Sequence, residues 1–352
     1  AGAEAGAGAG AGAGAAPTSA AALMTSTLRL RLHRREPYDA DGIFAFLASR
    51  AIPGLEVADR TSYSRAVPGG TITLTPQDGH IALDVAVHDT RQLARTVSRC
   101  RRLLDLDADP GSIAEALGLT SLAPLVEARP GLRVPGAFDG FELAVRAVVG
   151  QQISVAGART LLGRIVSRAG RTTIPARADA PPTHLLQPPT GPPTPATNAP
   201  HPLPDPPHQP SGPPPQPADP TCLSTQRPPV AGLTHLFPSP AEVLNTALEG
   251  LGLTNRRIAT IKELAARTAE GRIDLDGGQD PAEAVAELLA VPGIGPWTAS
   301  YIALRALRDP DAWPAGDLVL TKRMACLGIP DDHIERWRPW RAYAALHLWS
   351  SS

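Results

Sequence analysis

The chain has 352 residues, 43% of them hydrophobic, and its 33 Lys and Arg against 34 Asp and Glu leave a formal charge of -1. That length supports one large or two ordinary domains with a buried core, and the charge balance excludes bulk electrostatic attraction to nucleic acid or anionic membrane. The cysteines Cys100, Cys222 and Cys326 are too scattered for a disulfide framework, a zinc site or an iron-sulfur site.

There is no run of about 18 apolar residues and no basic segment leading into an apolar one at the N-terminus, so neither a membrane span nor a signal peptide is expected. The chain reads as soluble and intracellular.

Residues 1–23, an alternating Ala/Gly tract, read as a disordered linker because they offer almost nothing to bury. The chain begins with Ala and not Met, so it reads as a piece of something longer, or else translation starts at Met24. Residues 24–110 mix two periods. TLRLRL (27–32) and HIALDVAV (80–87) alternate as half-buried strands do, and GTITLT (70–75) is bounded by Pro68, Gly69 and Pro76. Residues 41–52 and 90–106 instead carry apolar residues at helical spacing, the second with Leu93, Val97, Cys100 and Leu104 on one face. This predicts an antiparallel α+β domain.

Helical spacing then holds over 111–172, with Phe141, Val145, Val148 and Val149 marking a buried face before GQQIS (150–154). Twenty of the 39 prolines fall between Pro181 and Pro229, so residues 173–237 read as a disordered, polyproline-like insertion. Residues 238–352 return to helical runs, among them AEVLNTALEGLGL (241–253) and DDHIERWRPWRAYAALHLW (331–349), separated by Gly, Pro or Asp, completing an all-α second domain.

Within that domain VPGIG (291–295) joins two helical runs. Gly293 and Gly295 permit a tight turn, and Pro296 suits the first turn of the next helix, where its missing N–H costs nothing. Such a turn either is a plain helical corner or presents free amides to a phosphate. Trp297 and Tyr301 lie one turn apart on one face, a pattern shared by core packing and by an aromatic pocket. Asp317 follows Pro314 and Gly316 and precedes LVLTKRM, where an N-cap role and a catalytic role are compatible. All five tryptophans lie in the last 56 residues.

VPGIGPWTASYIAL followed by Asp317, 20 residues after Trp297, resembles the signature of the helix-hairpin-helix DNA glycosylases, and within them the AlkA-type 3-methyladenine glycosylases. The similarity extends over 38–50, 128–136, FELAVRAVVGQQISVA (141–156) and ERWRPWRAYAALHLW (335–349). The resemblance implies an α+β domain, an antiparallel sheet with helices, followed by an all-α helix-hairpin-helix glycosylase domain.

It also implies that Asp317 is the catalytic carboxylate, that Trp297, Tyr301, Trp349 and Phe46 form the base pocket, and that Gln152, Gly293, Ile294, Gly295 and Thr298 contact DNA. The lysine nucleophile of bifunctional relatives is replaced by Trp297, and only Cys326 stands where their four-cysteine cluster would follow. Both features imply a monofunctional enzyme that uses water and leaves an abasic site.

Gln152 stands where the wedge of some relatives is leucine, which changes the wedge's chemistry and not its position. Leu318 and Val319 are smaller than an aromatic and leave the breadth of the pocket open. The remaining implications are no cofactor and no catalytic metal, a non-catalytic monovalent cation on the carbonyls of 290–295, double-stranded DNA with alkylated bases as partner, no membrane, and a monomer in the bacterial cytoplasm at the nucleoid. An N-terminal fusion to an Ada-type methyltransferase and regulator is also consistent with the chain's beginning.

Two other classes compete: a non-catalytic helix-hairpin-helix DNA-binding module, which leaves Asp317 and the tryptophans unexplained, and a scaffold that works through the proline-rich insertion. The basic run Arg99–Arg102 reads as either a DNA-facing or a solvated helix face, and His347 as a structural or exposed residue without metal-ligand spacing.

Overall fold

The computed structural model describes residues 26–173 and 230–351. The linker 1–23 and the proline-rich core of the insertion lie outside the described residues. Chain order is β1 (Ser26–His33), α1 (Ala40–Arg50), β2 (Glu56–Ala58), β3 (Tyr63–Val67), β4 (Gly70–Gln77), β5 (His80–Val87), α2 (Leu93–Leu103), α3 (Pro110–Gly118) and α4 (Ala123–Ala128). Then follow α5 (Gly140–Gly150), α6 (Val155–Ala169), α7 (Pro240–Asn245), α8 (Asn255–Ala269), α9 (Pro281–Leu289), α10 (Pro296–Ile302), α11 (Leu318–Cys326) and α12 (Arg341–Ser350).

The five strands form one antiparallel sheet in the order β1-β5-β4-β3-β2. Its alternation fixes the register, so that Leu30 pairs with Leu83 and Ile72 with Val85. Ile72, Leu74, Leu83 and Val85 pack with Phe44 of α1 and with Cys100 and Leu103 of α2. The expected α+β domain is therefore present, with two strands more than the three read from the sequence.

The helical half has two cores, not one. The first is built by α5, α6, α8 and the end of α9, and it takes in Ile52, Leu55 and Ala66 of the N-terminal domain. The second is built by α3, α4, α11 and α12 around Trp337. Ile302 belongs to the first and Ala303 to the second, so the segment from α10 onward is the wall between them. There the helix widens into a π turn over Ala303–Leu307, a local distortion that redirects the following side chains.

Four expectations change. Residues 230–237 belong to the fold and not to the insertion: Leu233 is buried, its neighbour Thr234 donates to Gly54 O, and Phe237 packs edge-on against Phe141. The helix read through 241–253 stops at Asn245, because Gly250 and Gly252 adopt positive φ and turn the chain while Leu248 and Leu251 stay buried. Residues 331–349 are two elements, a 3-10 turn (Asp331–Trp337) and α12, divided at Pro339. The run Arg99–Arg102 is not a free basic patch: Arg99 pairs with Asp139 and Asp276, Arg101 with Asp107, and Arg102 donates to the carbonyls of Leu275 and Ala306.

Candidate functional site

Asp317 caps α11, and its Oδ1 accepts from the amides of Val319 and Leu320, both at 2.9 Å. Two indoles complete its surroundings. Trp297 Nε1 donates to Oδ2 at 2.8 Å and Trp349 Nε1 to Oδ1 at 3.2 Å. One carboxylate thus accepts four N–H groups at the start of a helix, an arrangement that fixes its position.

Around it the aromatic residues lock together. Trp297 stacks on Tyr301 with centroids 5.3 Å apart and planes within 8°, and Trp349 meets Tyr301 edge-on at 6.4 Å. The i, i+4 spacing on α10 places the first pair on one face, and the end of α12 brings in the third ring. These residues, Phe46 of α1 and Asp317 all line one open cavity of about 540 Å³. That falls within the range of roughly 300–1,000 Å³ usual for small-molecule pockets.

The other wall of the cavity is charged, and the sequence reading missed it. Arg65 of β3 pairs with Glu142 at 2.7 Å, and Arg146 pairs with Glu142 at 2.6 Å and Glu56 at 2.7 Å. This buried quartet joins the sheet to α5. Its two arginines hold the Glu142 carboxyl at about 2 despite full burial, which alone would raise it.

Two further guanidiniums lie closer to the aromatic rings. Arg305, on the π turn, is 7% exposed; it donates to the carbonyls of Pro135 and Gly136 and to Tyr301 Oη at 2.7 Å. Its Cζ lies 4.7 Å from the centroid of Phe46, and that of Arg50 lies 3.8 Å from it. Burial pushes the Tyr301 phenol up, but Arg305 and Arg50 more than offset this and hold it below its usual value. A sequence signal existed: Phe46/Arg50 and Tyr301/Arg305 are both aromatic–arginine pairs at i, i+4.

The DNA-facing residues named from the sequence divide. Gln152 is exposed at φ 57, in the left-handed region, on the turn between α5 and α6, so it projects as a wedge would. Gly293 needs its φ of 97, and a Cβ there would collide with Thr260 Oγ1. The amides of Gly293 and Gly295 have no acceptor among the described residues.

Ile294 and Thr298, in contrast, turn inward. Ile294 is buried in the first core, and Thr298 Oγ1 accepts from Gln151 Nε2 at 3.1 Å. The same Nε2 donates to Gly293 O at 3.0 Å, while Arg257 donates to Gln151 O, so Gln151 straps the wedge turn to the hairpin. Leu318 and Val319 are exposed on the first turn of α11 and do not line the cavity.

Several hairpin carbonyls accept hydrogen bonds within the protein. The carbonyls of Val291, Pro292, Gly293 and Gly295 each accept a protein donor, and the buried polar atoms left unpaired among the described residues, on Arg34, Arg133 and Trp337, are donors elsewhere. Among the described residues no cluster of His, Cys, Asp or Glu is arranged for a metal ion, and no helix is long and apolar enough to cross a membrane.

Comparison with known proteins agrees with this geometry. Residues 29–139 match the AlkA N-terminal domain family. The chain is 36% identical over 328 residues to the probable bifunctional transcriptional activator/DNA repair enzyme AlkA of Mycobacterium tuberculosis, covering 90% of this chain and 55% of that one. It therefore spans about half the length of that relative. It is 30% identical to DNA-3-methyladenine glycosylase 2 of Escherichia coli over 333 residues, 90% of this chain and 95% of that one.

In fold it resembles the 3-methyladenine DNA glycosylase from Archaeoglobus fulgidus, with a TM-score of 0.65 at 18% identity, covering 91% and 96% of the two chains. With an N-terminal domain match and near-complete coverage of a relative at that identity, the chain belongs to the AlkA-type DNA-3-methyladenine glycosylase family.

Proposed function

We propose that the protein is a monofunctional DNA glycosylase that excises alkylated bases, such as 3-methyladenine and 7-methylguanine, from duplex DNA in base excision repair. The observation that carries this reading is the Asp317 carboxylate, held by four N–H groups at the wall of a cavity lined by Trp297, Tyr301 and Trp349.

Breaking an N-glycosidic bond develops positive charge on the sugar. A carboxylate already fixed in place stabilises that charge without reorganising and can orient the attacking water. The target base must leave the duplex to reach it. The free amides of Gly293 and Gly295 suit a backbone phosphate, and the exposed Gln152 suits the gap that the flipped base leaves in the stack. Alkylation at purine N3 or N7 makes the base a better leaving group, and the faces of Trp297, Tyr301 and Trp349 offer it stacking.

Among the described residues no lysine lines the cavity, so no amine there is placed to form a Schiff base with the sugar. Water is then the nucleophile, an abasic site the product, and no cofactor is required. The hairpin cation has no step in this chemistry.

The test is release of free base from methylated duplex DNA by wild type and Asp317→Asn, with strand cleavage scored separately. The expected result is base release without nicking, reduced on the order of 10²–10³-fold in a folded mutant. If the wild type binds DNA and releases no base, the chain is a binding module and Asp317 only a helix cap.

A further inference from the structure

The formal charge of -1 hides a segregation. The stretches 143–173, 250–262, 288–308 and 318–330 carry the wedge turn, the start of α8, the hairpin with α10, and α11; together they hold 12 Lys and Arg and no Asp or Glu. Most of these cations are spent inside the protein, among them Arg146 on carboxylates and Arg159, Arg257 and Arg305 on carbonyls. Lys322 is not: it is exposed, and no hydrogen bond or ion pair ties it to any described residue.

Lys322 stands on an uncovered face. α11 packs into the second core through Leu320 and Met324, and the opposite side of the helix shows Leu318, at 73% exposure, with Lys322 and Cys326. Leu318 and Lys322 lie one turn apart, and a helical side chain leans towards the N-terminus, so the lysine stem leans back over the leucine. The carboxylate at the start of this helix, Asp317, is turned to the cavity and taken up by four N–H groups, and the exposed face beyond it carries positive charge only.

The two cores set where this face lies. Ile294 of the hairpin packs in the first core and α11 in the second, with α10 beginning the wall between them. A nucleotide whose sugar reaches Asp317 therefore has the hairpin on one flank and α11 on the other. Lys322 is five residues beyond Asp317, about 7.5 Å along the axis at roughly 1.5 Å per residue, and its side chain leans back over part of that distance. One strand of a duplex advances about 3.4 Å per nucleotide, so the ammonium falls within one or two nucleotide steps of that sugar.

We propose that the open face of α11 is a second backbone-binding surface, on which Lys322 contacts the first or second phosphate of the damaged strand on the flank away from the hairpin and Leu318 covers the sugar between. This rests on the glycosylase reading and extends it. The hairpin amides hold one flank of the extruded nucleotide and Lys322 holds the other, so the strand is gripped on both sides of the gap.

The probe is a duplex with a tetrahydrofuran abasic site, which is bound without turnover, carrying single methylphosphonates that each remove one backbone charge along the damaged strand. Affinity is measured against salt for the wild type, Lys322→Gln, Lys322→Arg, Leu318→Asp and Gly295→Ala. Lys322→Gln should lower the slope of log K against log salt by about 0.9 and weaken binding roughly 5- to 10-fold at about 0.1 M salt, the loss of one phosphate contact. Lys322→Arg should keep the wild-type slope, and Leu318→Asp should weaken binding further by setting a like charge against the backbone. A Cβ at Gly295 meets nothing within 4 Å inside the protein, so Gly295→Ala crowds only the phosphate on the hairpin and marks its flank. One methylphosphonate within two steps of the abasic site, on the other flank, should weaken the wild type and leave Lys322→Gln unaffected.

An unchanged slope in Lys322→Gln, or coupling of Lys322 to a phosphate on the hairpin flank, overturns the proposal. So does a dimer of the wild type that Leu318→Asp dissociates while the slope stays unchanged, which would make the face a contact between copies of the chain. A wild type that grips the abasic duplex as described and releases no base from methylated DNA supports the surface and strikes the glycosylase reading alone.

Discussion

The two walls of the cavity handle charge in opposite ways. On the α10–α11–α12 side a single carboxylate is surrounded by N–H groups and aromatic rings, with no cation paired to it among the described residues. On the α1–β3–α5 side two carboxylates and two guanidiniums neutralise one another below the surface, and the Arg50 guanidinium lies over the Phe46 ring. The first wall is built for an anion that must stay available, and the second for a rigid joint between sheet and helix. Hydrogen bonds to neutral donors fix a carboxylate without cancelling its charge, whereas ion pairs cancel it.

The largest effect should come from breaking the joint. Glu142→Ala leaves Arg65 and Arg146 buried with only Glu56 to share, and removing one partner of such a network costs about 3–5 kcal/mol. Urea denaturation should show that loss, with the midpoint lowered and the slope unchanged.

On the opposite wall, Trp297→Phe removes one donor from Asp317 and keeps an aromatic ring stacked near Tyr301. Single-turnover base release should fall about 10-fold, in line with a charge-assisted hydrogen bond worth roughly 1.5 kcal/mol, while stability changes little. A fall in stability comparable with that of Glu142→Ala would erase the distinction between the walls.

In the wild type the smallest net effect concerns a third kind of buried charge, away from the cavity. Burial raises the Asp105 carboxyl to about 6, against the opposing effects of Tyr343, Arg308 and Arg133. Burial likewise lowers His347 to about 4, with Arg129 adding to the effect. The signs oppose. Asp105 holds a proton in the folded state that the unfolded chain has lost, so its contribution falls as pH rises through about 4 to 6. The unfolded chain protonates His347 before the folded one does, so that contribution falls as pH drops from about 6.5 to 4.

Each spans on the order of 3 kcal/mol, and in the wild type they largely cancel. Asp105→Asn keeps an acceptor for Tyr343 Oη and removes the titration. Its melting temperature should therefore drop more steeply than that of the wild type between pH 6.5 and 4.

How much of this was legible in the sequence follows from the same physics. Strands β1, β4 and β5 could be read because one face is polar or because turn residues bound them. Strand β3 is buried at all five positions and contains Ser64 and Arg65, whose partners Thr73 and Glu142 come from elsewhere in the chain, so no alternation marks it.

At the site, Asp317, Trp297, Tyr301, Trp349 and Phe46 were named from the family signature, and the fold brings all five to one cavity. Arg305 escaped notice because an arginine four residues after a tyrosine reads as a solvated helix face, and the π turn that buries it has no composition of its own. Ile294 and Thr298 were assigned outward because sequence shows that a turn is tight but not which of its side chains the core takes.

The Gln151 strap has a mechanical consequence. Its amide grips the hairpin at Gly293 O and Thr298 Oγ1, and the next residue is the exposed Gln152. The tip that would enter the helical stack and the turn that would hold the backbone are thus two jaws of one calliper, set at a fixed opening. On the proposed function, a duplex seated on one jaw would have no freedom to choose where the other falls, and the protein would measure off the nucleotide to be extruded before any chemistry began.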